Sequence, residues 1–203
     1  MRIHSSSFGH REPIPAEFAL GAPDGFGGNR NPQLAWEDVP AGTQSFALLC
    51  IDTDAPTDPS LAGKEGVEIP VEHPRGDFVH WAMADIAPTS REIAAGACSE
   101  GVAKGGKPDP EGPQGARQGL NDYTGWFKGD PELGGWYHGY DGPYPPPNDL
   151  RTHRYFFRVF ALDAASLDLP ESFTAAQLLR AMQGHVLAEA SMYGTYSLHS
   201  GAK

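Results

Sequence analysis

Three polar clusters in this 203-residue chain carry groups that can hold or exchange protons near neutral pH. Asp52 and Asp54 close the apolar run "SFALLCID" within Asp-Thr-Asp-Ala-Pro. His80 precedes Trp81 in "FVHWAMADI", and His153 and Tyr155 begin "HRYFFRVFALD". Imidazoles, a phenol and carboxylates together can recognise an anion or a polar headgroup. His80, His153 and Asp52 also have the ligand types of a two-histidine, one-carboxylate metal site, although nothing in their spacing enforces it. A third use is general-base catalysis by His153 in a small phosphoester or ester hydrolase, but no GxSxG elbow accompanies it.

The elements that must position these residues read as strands. Residues 45–52, 78–86 and 153–163 are rich in aliphatic, β-branched and aromatic side chains and bounded by Gly, Pro, Asn or Asp. They are apolar on both faces, as expected at the centre of packed sheets. Period-2 geometry puts His153 and Tyr155 on one face and Arg154 on the other, where it reads as an ion-pair or packing residue. The same period puts Cys50, Asp52 and Asp54 on one face, with Pro56 ending the strand. His80 is expected to open its strand after the turn at Gly76. The three strand ends would form one polar pocket if they converge, a convergence that spacing does not fix.

Residues 34–39 and 191–198 read as shorter strands. Thr174 and Gln177 form a capping box, and Leu178, Leu179, Met182, Val186, Leu187 and Ala190 follow at helical spacing, predicting one helix. Residues 56–77 and 99–149 are long loops dense in Gly, Pro and charge. The chain length fits one domain, residues 1–203, and no linker divides it.

Gly 25 and Pro 19 favour a turn-rich β architecture. With 15 basic and 26 acidic residues the net charge is −11, which opposes nucleic acid and anionic membrane surfaces as partners. Neither a secretory apolar segment nor a membrane-spanning run is seen, and Cys50 and Cys98 lack framework spacing. A soluble, reducing, cytoplasmic setting is the expectation.

The segments "LAWEDVPAGTQSFALLCIDTDAP", "FVHWAMADI", "NDYTGW", "YDGPYPPP" and "THRYFFRVFALD" occur in the order found in the phosphatidylethanolamine-binding protein family, which the chain resembles across roughly residues 20–198. That family includes the Raf kinase inhibitor proteins and a large bacterial branch. The resemblance implies a mainly β fold, an antiparallel Greek-key sandwich with a few peripheral helices. It implies a small pocket for phosphate-type anions or phosphorylated headgroups, lined by Asp52, Asp54, His80, His153 and Tyr155, with Pro143, Pro145 and Pro146 at its rim. Doubly protonated histidines would supply donors and charge, and the carboxylates could receive an ammonium group. A regulator or inhibitor of a kinase or protease, a homodimer, and neither metal nor cofactor are the further implications.

Departures from the family pattern bear on the ligand more than on the fold. Thr53 stands where proline is usual and Asn31 where serine is common. Tyr144 replaces a smaller residue and could narrow the pocket mouth. Residues 57–77 and 126–139 are longer than in compact bacterial members, the second adding Trp126, Trp136 and His138 as a lid or partner surface.

Overall fold

A computed structural model describes every residue except 109, 111 and 114, which lie in the 99–149 segment. The described residues form β1 (Arg2–His4), β2 (Gly21–Ala22), β3 (Gly25–Phe26), β4 (Leu34–Glu37), β5 (Ser45–Pro56) and β6 (Arg75–Ile86). There follow β7 (Glu92–Ile93), β8 (Arg117–Gln118), α1 (Tyr123–Trp126), β9 (His153–Leu162), α2 (Ala175–Ala181) and β10 (Val186–Tyr196). The main sheet has the antiparallel order β10-β9-β5-β6-β8. Because β9 returns by a long connection to lie beside β5, the order β9-β5-β6-β8 is a Greek key. β1, β4 and β7 make a second antiparallel sheet.

The two sheets face each other across one core, where Leu34, Trp36 and Ile93 meet Phe46, Leu48, Trp81, Met83 and Phe157. Behind the main sheet, Ala47, Leu49, Ala82 and Phe160 pack with Phe173 and Leu178, the latter on α2. A sheet covered on both faces needs apolar side chains at odd and even positions, which explains why its strands do not alternate. Trp81 and Phe157 are fully buried, and truncating either to alanine would cost about 3–5 kcal/mol. The fold is therefore mainly β, as expected.

Three local expectations are corrected. β6 starts at Arg75, so His80 lies inside its strand rather than opening it. The capping box of Thr174 and Gln177 is present, but the helix it starts ends at Ala181. Val186, Leu187 and Ala190 belong to β10 instead. Gly184, at a φ of 87°, makes the turn that converts one period into the other. The long segment 99–149 holds β8 and α1, and 56–77 holds the start of β6.

Candidate functional site

Antiparallel pairing brings the end of β5 beside the early parts of β6 and β9, with Asp52 opposite both Phe78 and Tyr155. Cys50 pairs with Trp81 and Ile51 with Val79, so His80 is an extra, bulged residue on β6. The bulge turns His80 to the side of the sheet that Trp81 also occupies, where period 2 alone would have opposed them. Asp52, His80, His153 and Tyr155 consequently line one cavity of about 380 Å³.

The floor of this cavity is polar and already largely bonded. His153 Nδ1 lies 2.7 Å from Asp52 Oδ2, and its Nε2 lies 3.0 Å from Asp149 Oδ2. Two carboxylates can only accept, so both ring nitrogens donate and the ring is an imidazolium. Burial works against that charge, but the bonds to Asp149 and Asp52 outweigh it and raise the His153 pKa to about 9. Asp149 is in turn clamped by Arg75, at 2.5 and 3.0 Å. Burial is again the opposing influence, and the bonds from His153 and Arg75 take the Asp149 pKa down to about 2.

His80 has the opposite character. Its Nδ1 donates to the Asp141 carbonyl at 2.8 Å, and its ring is boxed by Phe78, Tyr123 and Tyr155 at centroid distances of 5.0, 5.5 and 5.1 Å. Burial lowers its pKa despite the nearby Asp52, the Asp141 carbonyl and Asp122. Its Nε2 has no bond among the described residues. Tyr155 is fully buried, and its hydroxyl likewise lacks a partner among the described residues. Burial keeps that hydroxyl protonated, with its pKa raised well above the usual phenol value.

The walls are apolar. Phe78, Trp126, Phe127 and Leu133 form one side, and Tyr144 with Pro145, Pro146 and Pro147 the other. Tyr144 stands at the mouth, edge-on to Phe26, over a glycine (Gly21) whose missing side chain makes room for the ring. Trp126 and Tyr144 remain partly exposed at this rim.

The family model for phosphatidylethanolamine-binding protein matches residues 4–197. The chain belongs to this family. Curated relatives include the UPF0098 proteins of Methanothermobacter thermautotrophicus, 33% identical, and Aquifex aeolicus, 32% identical. Each match covers 97% of this chain, and 98% and 88% of the respective relative. Among solved structures, the homologue CT736 of Chlamydia trachomatis is 29% identical with a TM-score of 0.66, covering 97% of this chain and 96% of that one. YbcL of Escherichia coli is similar in fold at a TM-score of 0.72 and 24% identity, over 97% of both chains.

In this member of the family the expected site residues do not all meet. Asp52, His80, His153 and Tyr155 share the cavity, whereas Asp54 and Pro143 are outside its lining, which Tyr144, Pro145, Pro146 and Pro147 supply on that side. A second bulge, where Asp52 pairs with Phe78 but Ala55 with Gly76, breaks the period and turns Asp54 away from Asp52. Asp54 instead binds Arg154 at 2.8 and 2.9 Å and Arg151 at 2.9 Å. Burial opposes its ionisation, but these guanidinium groups hold its pKa below the usual carboxylate range. Arg154 is an ion-pair residue, as its strand position implied.

Asp149 and Arg75 were not foreseen as parts of this site. Asp149 offered one faint signal, a carboxylate four residues before His153 in "PPPND". Asp141 was missed too. Its backbone fixes the His80 ring, and its buried carboxylate receives Asn29 at 2.8 Å, Asn121 at 2.7 Å and Lys107 at 3.1 Å. His138 lies away from the cavity, its Nε2 2.9 Å from the Ser172 hydroxyl.

Among the described residues no helix is long and apolar enough to cross a membrane.

Proposed function

We propose that this protein is a binding module for a phosphorylated headgroup or other phosphate-type anion carrying an apolar body. The observation that carries this reading is the Tyr155 hydroxyl, a fully buried donor without a partner among the described residues, at the polar floor of a cavity with aromatic and proline walls. Leaving such a group unpaired costs about 1–3 kcal/mol, which a ligand oxygen would recover. A regulatory role towards a kinase or protease is supported by family membership only. A reducing, cytoplasmic setting belongs to the same proposal and is supported by two free, buried thiols, Cys50 and Cys98, burial pushing the latter up to about 12.

The hydrolase alternative loses its expected base. His153 holds its proton to about pH 9 and has both nitrogens engaged, so it can neither take a proton at neutral pH nor ligate a metal without giving up a carboxylate bond. Calorimetric titration with phosphoethanolamine tests the proposal. Saturable binding by the wild type that is weakened in His80→Ala supports it. Heat at the level of dilution for both proteins, or turnover of phosphomonoesters abolished by His80→Ala, rejects it.

A further inference from the structure

The proposed headgroup site has an unusual balance of donors and acceptors. His153 has spent both N–H groups on Asp52 and Asp149. Asp52 receives one bond on each oxygen, from Asp54 N–H at 2.7 Å and from His153, and an ionised carboxylate can accept about four. His80 donates through Nδ1 to a carbonyl, so a neutral ring turns a lone pair at Nε2 to any neighbour. Burial favours that neutral form. Tyr155 contributes the one free hydroxyl among these four floor residues.

Such a floor accepts more readily than it donates. A fully ionised oxyanion would satisfy Tyr155 but set its remaining oxygens against the Asp52 carboxylate and the His80 lone pair. An oxyanion that still carries a proton can donate it to Asp52 or His80 while accepting from Tyr155. Resting on the headgroup reading above, we infer that the cavity selects oxyanions bearing their own hydroxyl, such as phosphomonoester monoanions, and rejects sulfate esters of the same size and charge. Asp52 is the residue that enforces this choice, because its unfilled acceptor positions repel any oxygen lacking a proton.

The test compares two probes that differ in that proton. Phosphoethanolamine keeps its phosphate hydroxyl on about half its molecules at about pH 6, whereas 2-aminoethyl sulfate has no such hydroxyl there. Calorimetry on the wild-type protein at this pH should show the phosphate ester bound roughly tenfold or more tightly. Equal affinities would overturn the selectivity while leaving the pocket itself standing. Binding of neither probe would overturn the headgroup reading and this inference with it. In Asp52→Asn the preference should shrink towards parity, since an amide can donate to the sulfate oxygen. A preference kept at its wild-type size in that variant would remove Asp52 from the role, and the wild-type comparison holds even if the variant does not fold.

Discussion

Asp149 precedes His153 by four residues, and its Oδ2 takes the ring's Nε2–H at 3.0 Å while Arg75 grips the same carboxylate. The loop that carries the prolines of the cavity wall is thereby tied by charge to the first residue of β9. The proline run limits the unfolded freedom of that loop, and the Asp149–His153 bond fixes where it lands.

The charge on His153 sets an alkaline limit to stability. A histidine with a folded pKa of about 9 contributes fully below its unfolded value near 6.5 and loses that contribution as pH rises through about 9. The loss should reach about 3 kcal/mol in wild type, read from urea unfolding midpoints between about pH 6.5 and 9.5. His153→Gln should flatten this decline. Parallel pH profiles for the two proteins would contradict the buried imidazolium.

Asp149 sets the acid limit. Its folded pKa of about 2 lies below the unfolded value, so its contribution is present above about pH 4 and disappears as pH falls through about 2. Asp149→Asn should be less stable than wild type at pH 6, with the gap closing in acid. A gap that stays constant down to about pH 2 would show that packing, not charge, causes it.

Tyr155→Phe should separate binding from stability. Its hydroxyl has no partner to lose among the described residues and is buried unpaired, so the variant should be at least as stable as wild type, by up to about 1–3 kcal/mol. Phosphoethanolamine affinity should drop roughly fivefold or more. A large loss of stability with unchanged affinity would assign the hydroxyl a structural bond instead.

Asp54→Ala should do the reverse. It breaks bonds to Arg151 and Arg154 on the far side of the sheet and should cost about 1–3 kcal/mol by denaturant melting. Headgroup affinity measured on the folded protein should stay within about twofold of wild type. A loss of binding as deep as that of Asp52→Ala would mean that the bulge does not separate the two carboxylates.

Much of the fold was legible because the three long strands are continuous apolar runs punctuated by Gly, Pro and Asp. The helix was overextended because Leu178, Met182 and Val186 keep a helical spacing through a turn that only the left-handed Gly184 reveals. Gly184→Ala should cost about 1–2 kcal/mol for the same reason, by thermal or urea melting. At the site, His153 and Tyr155 follow from simple alternation. Asp54 and His80 do not, since each lies at a bulge, and one inserted residue reverses every face assignment beyond it. Asp149 and Asp141 sit on loops, where neither period applies.

The most direct measurement is an NMR titration of the wild-type protein with phosphoethanolamine, following the Tyr155 ring, the His80 imidazole and the Asp52 backbone amide. Saturable shifts at all three, with the Asp54 carboxyl carbon and the Arg154 guanidinium unmoved, are the predicted result. No shift at millimolar ligand, or shifts confined to the exposed Trp126 and Trp136, would contradict a headgroup site at this cavity floor.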